Sequence, residues 1–283
     1  MRVKATVHGA ISIVNAIATW KGATLGIDSK VEAVLRISDG HGISVESENR
    51  NLSSRLINKV IELSVPKRDL EKNKIELNIN SEIPTGYGLK SSSAISTVVS
   101  LACHKVFKTR YSDADVLEAG IDASLATKVS MTGAFDDACA CYFGGTIVTD
   151  NKLRKIIKMQ KTPTDLGVVI FIPKSRKRGN IKKLRNLPSV FERAWEFAKE
   201  GEYWSAMVLN GLATSHILNS NPQIILRLVE CGALGASVSG NGPAIAAVAK
   251  KNNIPNIRRV FSDLEGKVIT AAVNNKKADV YEL

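Results

Sequence analysis

The chain has 283 residues, with 39 Lys and Arg against 27 Asp and Glu for a formal net charge of +12. Hydrophobic residues make up 44% and mean hydropathy is −0.01, which excludes an intrinsically disordered chain and supplies a substantial core, about two ordinary domains by length. The charge is local: residues 152–185 hold twelve basic residues and one acid, Asp165, so +11 of the +12 falls in one segment.

At the amino terminus Arg2 and Lys4 precede an apolar stretch ending Ala16-Ile17-Ala18, which imitates a signal peptide. His8, Gly9, Ser12 and Asn15 interrupt it, so it reads as a strand and turn of the mature fold. No run of ~18 apolar residues exists to span a membrane. Residues 51–65 read as a helix. Ile75, Leu77 and Ile79 alternate with Glu76, Asn78 and Asn80, the period of a strand with one buried face. After Pro84 and two glycines, Ile95, Val98, Val99, Ala102 and Val106 fall at helical spacing, which makes 75–106 strand, loop and helix. Residues 112–127 read as a helix with Ser112 as its cap. Gly144–Asp150 reads as a strand, and the composition changes behind it. A domain boundary is therefore expected between 150 and 160, dividing the chain into 1–155 and 156–283. Leu166–Ile172 is a short apolar run and reads as a buried strand. Helices are expected at about 188–200, 202–219 and 222–232, then strands at Leu234–Val238 and Ala244–Ala249 around a tight SGNG loop. A helix near 254–264 and a strand near 267–273 follow. Both halves are mixed α+β.

Three segments carry the chemistry. In Pro84-Thr85-Gly86-Tyr87-Gly88-Leu89-Lys90-Ser91-Ser92-Ser93-Ala94 two glycines allow a tight turn, and the serines stand where a helix begins. Unpaired amides, the positive end of a helix dipole, hydroxyls and a lysine then surround one concavity suited to phosphate. A capped helix after a glycine turn accounts for the same residues, and no GxxxxGK[ST] P-loop occurs. In Thr132-Gly133-Ala134-Phe135-Asp136-Asp137-Ala138, adjacent carboxylates cannot both enter an apolar core unpaired. One of them can orient or take a hydroxyl proton or hold Mg²⁺, although acids at a helix start also favour the dipole. The third segment, Gly235 to Pro243, is a strand running into a glycine-rich turn, which a hairpin explains equally well.

The order PxGxGxxSSSA, TGxxDD and SGxGP resembles the GHMP kinase superfamily over essentially the whole chain. Within it, GLKSSSA, with lysine where most members carry glycine or serine, is similar to archaeal shikimate kinase. TGAFDDA, Ile13-Val14-Asn15-Ala16-Ile17 and Gly22–Asp28 are similar to it as well. The resemblance implies an amino-terminal domain like the second domain of ribosomal protein S5 and a ferredoxin-like carboxy-terminal domain, with ATP and substrate between them. It implies ATP-dependent phosphorylation of shikimate on its 3-hydroxyl, with Mg²⁺. Residues 84–94 would hold the nucleotide phosphates, and Ser239, Gly240 and Gly242 would close over them. Ser91 to Ser93 would lie near the phosphates or the metal, with Ser92 a metal contact. Asp136 matches the family's aspartate and Asp137 is the alternative if the register differs by one. Asn15 would lie near the substrate. The family's first-motif lysine is missing, since Gly9 is followed by Ala10, and Lys90 is the candidate to supply that charge. The metal-ligand glutamate also lacks a counterpart; Asp122 or Glu118 is offered in its place.

Shikimate carries a carboxylate, which calls for Arg or Lys. The loop Pro173–Arg185 holds seven basic residues and no acid, with Arg176 and Arg178 as candidates; a solvated basic face accounts for it too. Homoserine kinase, or another small-molecule kinase on the same scaffold, is the alternative, but the ammonium group of homoserine calls for an acidic pocket. A non-catalytic RNA-binding protein is less favoured, because aromatic residues are 5% of the chain and none interleaves the basic run. Neither nucleic acid nor membrane is expected as a partner, and the oligomeric state is not legible. Four cysteines without CxxC spacing suit reduced thiols in the cytoplasm, with Cys139 and Cys141 buried. The histidines show no metal spacing, and Trp195 and Trp204 are expected between helices of the second domain.

Overall fold

The computed structural model describes residues 1–48 and 52–283. The amino-terminal stretch forms β1 (Arg2–Val14), which turns through residues 15–20 into the long strand β2 (Lys21–Asp39) and pairs with it antiparallel. Then come β3 (Gly42–Ser47), α1 (Ser54–Ser64), α2 (Lys67–Lys72), β4 (Asn73–Ser81), α3 (Ser91–Phe107), α4 (Asp113–Ala126), α5 (Phe135–Phe143), β5 (Thr146–Asp150) and β6 (Lys155–Gln160). The later half comprises β7 (Leu166–Pro173), α6 (Pro188–Glu200), α7 (Tyr203–Ile217), α8 (Pro222–Glu230), β8 (Gly235–Val238), β9 (Ile245–Lys250), α9 (Ile254–Arg259), β10 (Gly266–Ala272) and β11 (Asp279–Glu282).

Local chemistry sets the helix starts. Ser53 caps α1 by accepting from the Leu56 amide, and Leu56, Ile57, Val60 and Ile61 form its buried stripe. Ser112 and Asp115 make a reciprocal capping box on α4, as the sequence suggested for Ser112. The helix expected over 51–65 is α1, and its expected first residue, Asn51, lies outside the described residues. The final helix is shorter than the 254–264 expected, closing at Arg259.

One sheet has the order β11-β1-β2-β4-β3, with β5 on the first part of β2 and β6 on β5. The second, β10-β7-β9-β8, is antiparallel throughout, the order of a split βαβ or ferredoxin-like unit. Side chains of β7 alternate between two cores. Val168, Ile170 and Ile172 join the core of the first sheet and its helices, while Val169 and Phe171 face Ile225, Leu228, Ile257 and Phe261. The second sheet is therefore buried on both faces, which explains the unbroken apolar run.

The first sheet crosses the change in composition. Residue 155 is the first of β6, which pairs with β5, so the first sheet continues to Gln160 and is rejoined by β11. Part of the basic segment thus lies on a hairpin of the first sheet, where ladder hydrogen bonds override the change in composition. Trp195 is also placed differently from expectation: its indole donates to the Thr149 carbonyl at 3.0 Å, docking α6 on β5. No helix among the described residues is long and apolar enough to cross a membrane.

Candidate active site

Three chain segments meet where α3 begins. The turn between β8 and β9 reaches the glycine loop: Ser239 Oγ donates to the Gly88 carbonyl at 2.9 Å and the Ala244 amide donates to the Tyr87 carbonyl at 3.1 Å. The end of β1 completes the junction. The Gly240 amide donates to Ser12 Oγ at 2.9 Å, and Asn15 Nδ2 donates to the Gly240 carbonyl at 2.8 Å. Gly88 is required here on two counts, a φ of +83° and the Ser239 carbonyl oxygen, which a Cβ would overlap.

These segments enclose a cavity of about 420 Å³. Residue 86, residues 88–93, Asn15, Asp136, Asp137, Arg178 and Gly240 line it, so most of the sequence candidates converge. Pro84, Thr85, Tyr87, Ala94, Ser239 and Gly242 do not line it and instead support the loops. Thr85 Oγ1, for example, lies 3.3 Å from Ser91 Oγ. Arg176 also stays outside, its guanidinium 5.0 Å above the Tyr87 ring. Arg178 donates to the carbonyls of Asn241 and Gly242, both at 3.3 Å, at the cavity's edge. Of the +11 segment, only Arg178 among its cations lines the cavity; Arg154 pairs with Asp122, Arg176 lies over Tyr87 and Arg185 donates to the Ile17 carbonyl.

The two aspartates occupy different environments. Asp137 Oδ1 lies 2.8 Å from Lys90 Nζ, inside the cavity wall. Asp136 is 4% exposed, its Oδ1 accepting from Asn151 Nδ2 at 2.7 Å and its Oδ2 from Thr24 Oγ1 at 3.1 Å. Thr24 Oγ1 is also 3.2 Å from Asp137 Oδ1, so this hydroxyl bridges the pair. Burial, and next the neighbouring Asp137 charge, push the Asp136 carboxyl up to about 6, against the pull of Lys90 and the two hydrogen bonds. Gly22 on β2 permits this approach, since a Cβ there would overlap the Asp136 carboxylate. The thiols of Cys139 and Cys141 behind it are buried, as expected, and burial raises both.

The proposed metal contacts divide. Ser92 lines the cavity, whereas Asp122 does not and is paired with Arg154 instead; Glu118 is exposed and outside it too. An α-helix turns 100° per residue, so Asp122 faces away from the cavity that Ser124, two positions on, lines. No group of three or more His, Cys, Asp or Glu among the described residues could hold a metal ion. Thr24, Asn151 and the exposed Lys128, which also lines the cavity, escaped the sequence reading. Thr24 falls within the Gly22–Asp28 stretch; Asn151 carries no signal beyond that of a turn residue after a strand.

Residues 54–145 match the family described as GHMP kinases N terminal domain. The chain is 38% identical to the shikimate kinase of Methanosarcina mazei, covering 97% of this chain and 95% of that protein. It is 36% identical to the shikimate kinase of Methanothrix thermoacetophila, covering 98% and 96%. The chain belongs to the shikimate kinases of the GHMP kinase superfamily. The shared architecture extends to homoserine kinase from Cytophaga hutchinsonii, with a TM-score of 0.75 at 18% identity over 99% of this chain and 97% of that one. In this member of the shikimate kinases the position after Gly9 is the fully buried Ala10, and the cation beside the aspartates is Lys90.

Proposed function

We propose that the protein transfers the γ-phosphate of ATP to the 3-hydroxyl of shikimate. The observation that carries this reading is the 36–38% identity, over nearly the whole chain, to proteins named shikimate kinase. The geometry supports the reaction class: phosphoryl transfer depends on positioning and charge neutralisation, and the cavity joins a helix amino terminus, two lysines, an arginine and two aspartates.

In this reading the amides and hydroxyls at 91–93 hold the phosphates, with Lys90 neutralising charge, while the Ser239–Gly242 turn closes the site. Asp136 orients the attacking hydroxyl and accepts its proton, its raised carboxyl suiting a base that works near neutrality. Asp137 acts as the counter-ion of Lys90. Arg178 takes the substrate carboxylate beside Asn15. Mg²⁺ would arrive with ATP and be held chiefly by phosphate oxygens and water, with Ser92 as the protein contact. The first sheet and its helices form the nucleotide-binding part and residues 166–272 the closing part, in a cytoplasmic enzyme.

Homoserine fits less well. The acids lining the cavity are Asp136 and Asp137, one engaged by Asn151 and Thr24 and the other by Lys90, which leaves no unengaged acid for an ammonium group. The test is ADP release with shikimate and homoserine offered in parallel. Stimulation by shikimate alone is expected; stimulation by homoserine alone, or by neither, would sink the reading.

A further inference from the structure

Asn151 follows β5 and is 4% exposed. Its side chain is held from two directions. Thr149 Oγ1 donates to Asn151 Oδ1 at 2.6 Å, and the Asp136 backbone amide donates to the same oxygen at 3.2 Å. A backbone N–H can only donate, so the oxygen of the Asn151 amide must face it and the NH₂ must face the Asp136 carboxylate. That NH₂ lies 2.7 Å from Oδ1. The rest of the residue is tied down as well: the Asn151 amide donates to the Trp20 carbonyl at 2.7 Å, and the Thr149 carbonyl accepts the Trp195 indole at 3.0 Å.

We propose that Asn151 is a positioning residue for Asp136, its fixed amide holding the carboxylate in one orientation toward the cavity while Thr149 locks that amide. This rests on the reading of Asp136 as the proton-accepting carboxylate. Oδ1 is held by Asn151 and Oδ2 by Thr24, and β2 approaches closely at Gly22, so the carboxylate cannot rotate without losing a hydrogen bond. A purely structural role would be filled by the contacts to Thr149 and Trp20, which brace the turn. The bond from Nδ2 to Oδ1 lies outside those bracing contacts and acts on the ionised carboxylate. Trp195 extends the chain of contacts to α6, linking the orientation of Asp136 to the docking of that helix.

The experiment follows the side-chain carboxyl resonances of ¹³C-aspartate-labelled protein against pH, with Asp136 identified by Asp136→Asn, in the parent, Asn151→Ala and Thr149→Val proteins. The titratable groups facing Asp136 are retained in every variant: the charged Asp137 beside it, the charged Lys90 from the start of α3, and the neutral Cys139 and Cys141 thiols along α5. Loss of a donor to the charged form raises the midpoint, by about one pH unit for Asn151→Ala and by less for Thr149→Val. The acid limb of kcat moves by the same amount, kcat falls about tenfold, and KM for ATP stays within about twofold. An unmoved resonance in folded protein overturns the positioning role. A moved resonance with an unmoved acid limb overturns the assignment of Asp136 as base while leaving the positioning contact intact. Thr149→Val breaks no contact to Asp136 itself, so it carries the test if Asn151→Ala does not fold.

Discussion

Lys90 Nζ lies 2.8 Å from Asp137 Oδ1, and only 6% and 14% of the two side chains is exposed. The contact joins the residue preceding α3 to the first turn of α5, so the two helix amino termini that line the cavity are locked by one ion pair. Lys90 has a φ of +64°, a left-handed conformation uncommon for a residue with a Cβ, and it is held there at the site.

Removing one partner of such a pair leaves the other charge buried and unmatched. Lys90→Met is expected to cost about 3 kcal/mol in urea unfolding. Lys90→Met combined with Asp137→Asn recovers most of that stability while activity stays low. Equal losses in the single and double variants would assign the cost to lost packing.

Gly88→Ala tests the junction of the glycine loop with the β8–β9 turn. The added Cβ would meet the Ser239 carbonyl oxygen, a rigid backbone atom, at a φ of +83°. The turn must move away, which breaks the hydrogen bond from Ser239 Oγ to Gly88 at the mouth of the site. Turnover is expected to fall by about tenfold or more, since small misplacements of reacting groups are costly. Turnover close to that of the parent protein would show that the junction is not needed.

The glycine loop, the helix behind it and the aspartate pair were legible because each depends on short-range chemistry: glycines at a turn, serines at a helix start, acids that cannot be buried unmatched. What escaped depends on long-range pairing. Strand β6 is a basic stretch whose place is set by its ladder with β5, and β11 returns from the far end of the chain to pair with β1. Asn151 and Thr149 are ordinary residues at a strand end until the fold brings α5 against them. Asp122 was reached by residue type alone; its helical phase turns it toward Arg154.

Arg178 and Arg176 are two residues apart in one basic loop, yet only Arg178 lines the cavity, while Arg176 stacks on Tyr87. Arg178→Ala is expected to raise KM for shikimate by about tenfold to a hundredfold, the worth of a charge-assisted hydrogen bond, with little effect on KM for ATP. Arg176→Ala should change both by less than about threefold. Steady-state kinetics with each substrate varied in turn reads the difference, and a reversed order would transfer the carboxylate contact to Arg176.

Asp136 ties activity and stability to pH with opposite signs. Its carboxyl is held at about 6, above the ordinary 3.8, because burial and then the Asp137 charge disfavour ionisation. The folded protein therefore binds more protons than the unfolded chain between those values, and stability falls as pH rises from about 4 through about 6. A base must be ionised to accept a proton, so turnover rises over the upper part of the same interval. Asp136→Asn removes both effects. Turnover is expected to drop by about a hundredfold or more, the usual worth of a general base, while stability at pH 8 increases by about 3 kcal/mol and the gain vanishes near pH 3. Urea unfolding at the two pH values, alongside the rate, checks the pair of signs. A variant less stable than the parent at pH 8 would show that the carboxylate's hydrogen bonds to Asn151 and Thr24 outweigh its desolvation.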